Sequence, residues 1–232
     1  MKKNLLVFCT VIFCSTLIQA QSNCSKYYPL EEGRTFQYTI FNKKGKADGV
    51  TDYSITNVNN SSGSTSATFN LKYIDKKGKE MLASEYDVTC TGDGIKIDYM
   101  SIMPSQMMSQ YEEMGMEMDI SGTDIELPNN LISGQELTDA NVTINMNMGG
   151  IKMNVSVAMT DRKVISKEAI TTAAGSFDCF VITETIKSKA MGANIEMNTK
   201  LWLAEGVGMV KQETYKKNGS LDGSTELTKF NM

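Results

Sequence analysis

The chain has 232 residues, with 23 Lys and Arg against 27 Asp and Glu, and it contains no His. The net charge of −4 argues against a nucleic-acid-binding surface, which requires concentrated positive charge. The absence of His excludes Ser–His–Asp and Cys–His catalytic arrangements and the usual zinc sites.

Acidic residues are plentiful, but no spacing among them indicates a pair of catalytic carboxylates. We interpret individual acidic residues, such as Glu126 and Glu184, as solvated surface residues. The sequence therefore predicts a protein that is not an enzyme, with no catalytic residue and no cofactor.

The first twenty residues have the three parts of a secretory signal peptide. Lys2 and Lys3 give a positive start, residues 5–18 are mostly apolar, and Ala20 is the small residue required before cleavage. The apolar run is too short for a comfortable membrane span. We predict cleavage after Ala20 and one mature β domain, residues 21–232, with no transmembrane span. We expect export to the periplasm, with secretion from the cell as the alternative.

Apolar and polar residues alternate with a period of two along most of the mature sequence, as in antiparallel strands that bury one face. Polar loops with Gly at the last or second-last position, at residues 42–46, 75–79 and 216–219, are typical of hairpins. About ten strands joined in this way must curl or close. We predict an all-β fold, a strongly curved antiparallel sheet or half-open barrel. The clearest alternation is formed by Val142, Ile144, Met146 and Met148, then Ile151, Met153, Val155, Val157 and Met159.

One segment breaks the period of two. Met103, Met107, Tyr111 and Met114 follow one another at spacings of four, four and three, which is typical of one face of an amphipathic helix. We predict a short helix over about 102–115 whose apolar stripe packs against the concave face of the sheet.

Three cysteines follow the predicted cleavage site: Cys24, Cys90 and Cys179. Two of them can pair in an oxidising compartment, and three pairings are possible. Cys179 lies in an apolar strand, where a free cysteine behaves as a small buried hydrophobic residue. We favour a Cys24–Cys90 disulfide, which would fix the N-terminus to the sheet.

Methionine is unusually frequent, with 15 residues between Ala20 and the terminal Met232. Three interpretations stay open. Methionine replaces leucine in an ordinary core, or its flexible side chains line a cavity for an apolar ligand. In the third interpretation, Met114, Met116 and Met118 form a Met-x-Met-x-Met motif that binds Cu(I), a soft metal ion.

Several motifs in the C-terminal half are similar to those of a known family. They lie at Leu127-Pro128 and at residues 161–164, 172–177 and 202–211, and Cys24 fits the same pattern. The chain resembles the exported bacterial family called domain of unknown function 3108-like, also labelled TapB-like. The resemblance implies a strongly curved sheet similar to LolA-like periplasmic carriers, and it implies no activity.

The resemblance also implies structural roles for residues of the last strands. Gly175 would end a turn, and Gly206 and Gly208 would permit a bend. Trp202 lies on the opposite side of its strand from Leu201 and either covers a sheet edge or presents a binding surface.

Our leading functional hypothesis is a non-enzymatic envelope protein that binds an apolar small molecule, lipid or peptide in the concave sheet. The alternatives are a structural or assembly factor with a filled core, and a Cu(I)-handling protein. The sequence identifies no protein partner. The candidate ligand-binding residues are Met103, Met107, Met108, Tyr111, Met114, Met146, Met148 and Met153.

Overall fold

The computed structural model describes residues 24–61, 63–98, 117–190 and 192–231, and over these ranges strands are its regular secondary structure. None of these residues belongs to a helix that is long and apolar enough to cross a bilayer. The predicted signal peptide and the predicted helix over 102–115 lie outside the described residues. The strands are β1 (Thr35–Asn42), β2 (Ala47–Ser61), β3 (Ser64–Asp75), β4 (Glu80–Thr91), β5 (Gly94–Ile97), β6 (Glu117–Thr123), β7 (Ile125–Pro128), β8 (Ala140–Met148), β9 (Ile151–Thr172), β10 (Gly175–Ala190), β11 (Ala193–Ala204), β12 (Gly208–Lys216) and β13 (Leu221–Asn231).

The all-β antiparallel sheet expected from the sequence is confirmed, but the expected number of about ten strands is wrong. The described residues form thirteen strands, all in one sheet. Strand β7 has only four residues, which gives too few alternations for the period of two to stand out.

The sheet is nearly closed into a barrel by one extended segment of the chain. The strand order is β6-β8-β9-β10-β11-β12-β13-β1-β2-β3-β4-β5-β7, so the two edge strands are neighbours in sequence. Strand β6 pairs with β8, and after Asp124 the chain continues as β7, which pairs with β5. The segment therefore connects the two edges of a sheet that would otherwise stay open.

One end of this barrel, which we call the closed end, has a densely packed interior. Fully buried side chains from the N-terminal segment, β2, β11 and β13 meet there, among them Tyr27, Ile55, Leu203 and Leu227. The N-terminal segment is held to the turns of this end by hydrogen bonds. Asn129 Nδ2 donates to the carbonyl of Cys24 (2.7 Å), and the Gly206 amide donates to the carbonyl of Lys26 (2.9 Å).

A disulfide joins Cys24 to Cys90, which is the pair favoured from the sequence, with Cα atoms 5.8 Å apart. The two residues are separated by 66 positions. Closing a loop of that length removes entropy from the unfolded chain that corresponds to about 4 kcal/mol of stabilisation. Cys179 is free and buried.

The other end of the barrel carries five hairpin turns. Strands β1, β3, β8, β10 and β12 all run towards it because neighbouring strands of the sheet are antiparallel. In the β1–β2 turn, the side chain of Asn42 accepts hydrogen bonds from the amides of Lys44 (2.9 Å) and Lys46 (3.3 Å). We call the five turns and their flanking described residues the hairpin rim, which comprises residues 42–47, 75–82, 148–152, 189–190, 192–195 and 216–222.

Candidate functional site

The methionine-rich strands place their apolar side chains on one face of the sheet. Met118 of β6 lies opposite Met146 of β8, which lies opposite Met153 of β9. Further along β9, Met159 lies opposite Ile186, which is on the same face of β10 as the core residue Ile182, four positions away. This face is therefore continuous with the core side of the sheet. We call it the inner methionine face, and it comprises Met118, Ile120, Val142, Ile144, Met146, Met153, Val155, Val157, Met159, Ile186 and Met197.

The inner methionine face is only half-buried, unlike the core at the closed end. Every one of its residues keeps an intermediate exposure, whereas Leu203 and Leu227 have none. Exposure rises further towards the hairpin rim, where the side chains of Ile151 and Ile195 are 63% and 55% exposed. A contiguous apolar surface that stays accessible is a feature of binding sites more than of filled cores.

Of the candidate ligand-binding residues, Met146 and Met153 lie on the inner methionine face. The backbone of Met148 pairs with Ile151, but its side chain is outside the described part of the structure, as are Met103, Met107, Met108, Tyr111 and Met114. Of the proposed copper motif, Met118 is described and Met114 and Met116 are not. Sequence reasoning did not assign Ile186 and Met197 to this site, although alternation along β10 and β11 is a signal that could have found them.

Aromatic side chains line the corresponding face of strands β1 to β4. The rings of Tyr38 and Tyr53 meet edge to face, with centroids 5.6 Å apart, and Phe69 stacks on Tyr86 at 5.4 Å. The Tyr38 hydroxyl donates to the carbonyl of Met209 (2.8 Å). Burial raises the pKa of Tyr53 to about 12.

A buried ion pair lies on the same face of β9 and β10, on the closed-end side of the inner methionine face. Arg162 Nε donates to a Glu184 oxygen (3.3 Å), and the Thr199 hydroxyl donates to the other oxygen (3.1 Å). Arg162 Nη1 donates to the carbonyls of Thr138 (2.5 Å) and Glu126 (3.3 Å). Only 5% of the Arg162 side chain and 14% of the Glu184 side chain are exposed.

This ion pair corrects one sequence interpretation. Glu184 is not a solvated surface residue, because Arg162 and Thr199 satisfy both of its carboxylate oxygens away from bulk water. Glu126 is 41% exposed and pairs with Lys96 on the neighbouring strand, as expected of a surface residue. The Arg162 guanidinium connects β9 to the carbonyl of a β7 residue, so it holds the two strands together where they share no backbone ladder.

Trp202 matches neither of the two roles considered for it. It lies on β11 in the interior of the sheet order, and only 5% of it is exposed. Its indole Nε1 donates to Glu168 (2.8 Å), and the ammonium groups of Lys200 and Lys211 lie 4.4 and 5.5 Å from its ring centroid. Charged side chains therefore cover this residue on the outer face.

Among the described residues, no group of three or more His, Cys, Asp or Glu side chains is arranged to hold a metal ion. The thioethers of Met118, Met146 and Met153 are the soft donors that the register brings next to one another, on three adjacent strands.

Fold and site together define a class: an antiparallel, barrel-shaped sheet with one densely packed end and an accessible apolar inner face at the other. The model of the DUF3108-like family matches residues 31–227, and the chain belongs to that family. Comparison with curated proteins finds no match.

Two solved structures share this fold. One, from Bacteroides fragilis, is described as an exported protein with a YmcC-like fold; it is 17% identical, with a TM-score of 0.70, and the match covers 90% of this chain and 100% of the other. The second, from Parabacteroides distasonis, is described as a lipoprotein; it is 23% identical, with a TM-score of 0.71, over 89% of this chain and 99% of the other. At these identities the likeness shows the fold alone.

Proposed function

We propose that this protein is an exported, non-enzymatic binding protein that holds the acyl chain of a lipid or fatty acid against the inner methionine face. The observation that carries the proposal is the continuity of that face, which runs half-buried from the core to the hairpin rim. Methionine suits such a surface because its unbranched, polarizable side chain adapts to guests of varied shape.

The dimensions and chemistry of the face favour an acyl chain over a compact ligand. It spans five adjacent strands, β6 and β8 to β11, so it measures about 20 Å across. From Met153 to Met159 it extends about 20 Å along a strand. Its residues offer no side-chain hydrogen-bond donors or acceptors besides thioethers, so a flexible apolar chain matches it better than a polar ligand.

Three observations support export. The N-terminal sequence has the parts of a signal peptide. The Cys24–Cys90 disulfide fits an oxidising compartment. The two structural neighbours are described as an exported protein and a lipoprotein. We infer a periplasmic or secreted location after cleavage behind Ala20, with the periplasm favoured.

Displacement of a fluorescent fatty acid from purified, delipidated protein tests the proposal, together with native mass spectrometry of freshly isolated protein. The double variant Met146→Gln/Met153→Gln keeps side-chain length but introduces amides into the inner face. We expect at least tenfold weaker fatty-acid binding for it. The control Met81→Gln changes an exposed methionine and should bind as the wild type does. No bound lipid and no displacement by the wild-type protein would refute the proposal.

A second candidate function is Cu(I) binding, favoured by the register that aligns Met118, Met146 and Met153. The triple variant with leucine at these positions separates the two functions because leucine keeps the apolar surface and removes the thioethers. An acyl-chain site would retain its fatty-acid affinity in this variant. A copper site would be lost in a competition titration with a Cu(I) chelator under reducing conditions, and wild-type affinity no tighter than micromolar would dismiss it.

The packed closed end supports the remaining alternative, a structural or assembly factor with a filled core. This function remains if wild-type protein binds neither a fatty acid nor Cu(I). Under it, hydrophilic substitutions on the inner methionine face would change stability without changing binding of any small ligand.

A further inference from the structure

We propose that the hairpin rim docks on a lipid bilayer that contains anionic phospholipids. The rim is built from five turns that the antiparallel topology gathers at one end of the barrel. This docking proposal rests on rim residues, whereas the variants that test acyl-chain binding change residues of the inner methionine face. A failure to find acyl-chain binding would therefore leave the docking proposal intact.

Charge is distributed very unevenly between the rim and the rest of the protein. The rim segments contain ten lysines and three acidic residues, whereas the remaining described residues contain eleven basic and 22 acidic residues. A protein with a negative net charge thus carries a concentrated positive end. Such a distribution orients the molecule towards an anionic surface as it approaches.

Most rim lysines are available for a new partner. Among the described residues, only Lys76, Lys216 and Lys217 of the ten form ion pairs, with Asp48, Asp222 and Glu196. The side chains of all ten are exposed to solvent. The β1–β2 and β3–β4 turns carry three lysines each. In the β1–β2 turn, Lys43, Lys44 and Lys46 are displayed without an acidic residue in the turn.

Large apolar side chains are exposed at the same end. Seven such residues are exposed in the described part of the chain, and five of them belong to the rim; these are Met81, Leu82, Ile151, Ile195 and Leu221. The other two are Ile132 and Ile165. Lysines interleaved with exposed apolar side chains suit the boundary between phospholipid headgroups and acyl chains.

This combination favours a bilayer over a soluble polyanion. A soluble polyanion would use the lysines and would leave the apolar side chains in water. A bilayer satisfies both sets, with the lysines at the phosphates and the apolar side chains below them. Each lysine near an anionic leaflet contributes about a fivefold factor in affinity.

Vesicle sedimentation with the full mature protein tests the docking surface. Vesicles of phosphatidylcholine with one quarter phosphatidylglycerol are compared with vesicles of phosphatidylcholine alone. We expect binding to the anionic vesicles that weakens as salt is raised from 0.1 M to 0.5 M, roughly the range over which the screening length falls below 5 Å. Equal binding to both kinds of vesicle, or none, would overturn the proposal.

Charge reversal gives a matched pair of variants. Lys43→Glu/Lys44→Glu/Lys46→Glu changes the exposed β1–β2 turn and should weaken binding about a hundredfold or more. The control Lys163→Glu/Lys167→Glu/Lys229→Glu changes the net charge by the same amount away from the rim, and it should retain most of the binding. Similar losses in both variants would show that net charge alone is sensed and would overturn the assignment.

The apolar contribution separates the bilayer from a soluble polyanion. Ile151→Asn at the rim should weaken vesicle binding severalfold, whereas Ile132→Asn, which replaces a similarly exposed isoleucine elsewhere, should not. If Ile151→Asn binds vesicles normally and heparin displaces the protein completely, the rim is a polyanion site and the bilayer assignment is wrong. Circular dichroism of each variant checks that the fold is retained.

Discussion

Arg162 connects β9 to the segment that closes the barrel. Its guanidinium satisfies Glu184 and two backbone carbonyls, which belong to Glu126 on β7 and to Thr138 in the segment that follows it. Removing one member of a buried ion pair leaves the other charge without compensation, which is more destabilising than removing both.

We predict that Arg162→Met lowers the free energy of unfolding by about 3 to 5 kcal/mol. The double variant Arg162→Met/Glu184→Met should recover part of that loss, because no uncompensated charge remains. Urea denaturation followed by tryptophan fluorescence measures both. Lys163→Met changes an exposed neighbour and should alter stability by less than about 0.5 kcal/mol. A loss for Arg162→Met no larger than this control would contradict the structural role.

The Lys211–Glu213–Tyr215 group on the outer face predicts a dependence of stability on pH. Burial by itself would raise the pKa of Glu213, but the Tyr215 hydroxyl and the Lys211 ammonium offset this and lower it. The bond to Glu213 raises the pKa of Tyr215 to about 12. The folded state therefore favours an ionised Glu213 next to a neutral Tyr215.

The pKa of Glu213 is lower in the folded protein than in the unfolded chain, where it is about 4.5. Ionised Glu213 therefore stabilises the fold above that pH, and this stabilisation is lost as the pH falls through the folded-state pKa. The pKa of Tyr215 is higher in the folded protein than in the unfolded chain, where it is about 10. Neutral Tyr215 therefore stabilises the fold below that pH, and this stabilisation is lost as the pH rises towards 12. We predict that Tyr215→Phe costs about 1 kcal/mol near pH 7. The difference from wild type should shrink below pH 4 and above pH 10, as measured by denaturant titration. A difference that is constant with pH would contradict the coupling.

At the scale of single residues, the sequence identified residue types and motifs, but it did not identify which side chains form hydrogen bonds or ion pairs with each other. Arg162 stands in a motif that the sequence analysis identified, yet the atoms it binds lie 22 to 36 positions away. Glu184 looked like any other acidic residue on a strand because nothing local distinguishes a buried carboxylate. The Cys24–Cys90 pair was favoured because Cys179 sits in an apolar strand, which is a local signal.

At the scale of elements, the short strands β5 and β7 approach each other so closely at Gly94 that a side chain there would meet backbone atoms. Gly94 begins β5 with a φ of +150°, and a Cβ atom there would lie 2.3 Å from the carbonyl oxygen of Leu127 on β7. The backbone of β7 can approach so closely only because residue 94 has no side chain.

We predict that Gly94→Ala destabilises the protein by about 1 to 3 kcal/mol, since it adds both backbone strain and a contact with β7. Gly92→Ala, two residues earlier, is the matched control. A Cβ atom at Gly92 meets nothing within 4 Å, and this substitution should be neutral or slightly stabilising. Thermal unfolding of both variants measures the difference, and equal melting temperatures would show that β5 and β7 separate readily.

The hairpins could be predicted from the sequence. The point along β9 at which its neighbour changes from β8 to another segment could not. The turns at residues 42–46, 75–79 and 216–219 form as expected because their glycines, Gly45, Gly78 and Gly219, adopt a positive φ. Strand β9, by contrast, pairs with β8 up to Met159 and then meets residues 134–137. Asp161, with a φ of +55°, lies at the register shift that permits this change. An irregularity of one residue does not alter the apolar periodicity enough to be seen.

For the molecule as a whole, the curvature of the sheet could be predicted from the number of alternating strands, but the near-closure of the barrel could not. Closure depends on β6 and β7 meeting opposite edges of the sheet, which is a relation between distant parts of the chain. The two ends also differ in a way that residue composition does not reveal. Apolar residues of the same types are fully buried at the closed end and half-buried on the inner methionine face.

This difference between the ends predicts two levels of amide hydrogen exchange. Amides of Ile55, Val210 and Leu227, whose side chains are completely buried, should exchange only through global unfolding. Amides of Met146 and Met153 should exchange faster, through local opening of the β8–β9 hairpin, because fewer buried contacts hold it. Adding a long-chain fatty acid should slow exchange in the hairpin and leave the closed end unchanged, since ligand binding stabilises the region it contacts. Mass spectrometry of peptides from the two regions resolves them, and uniform protection without ligand would mean that the barrel opens only as one unit.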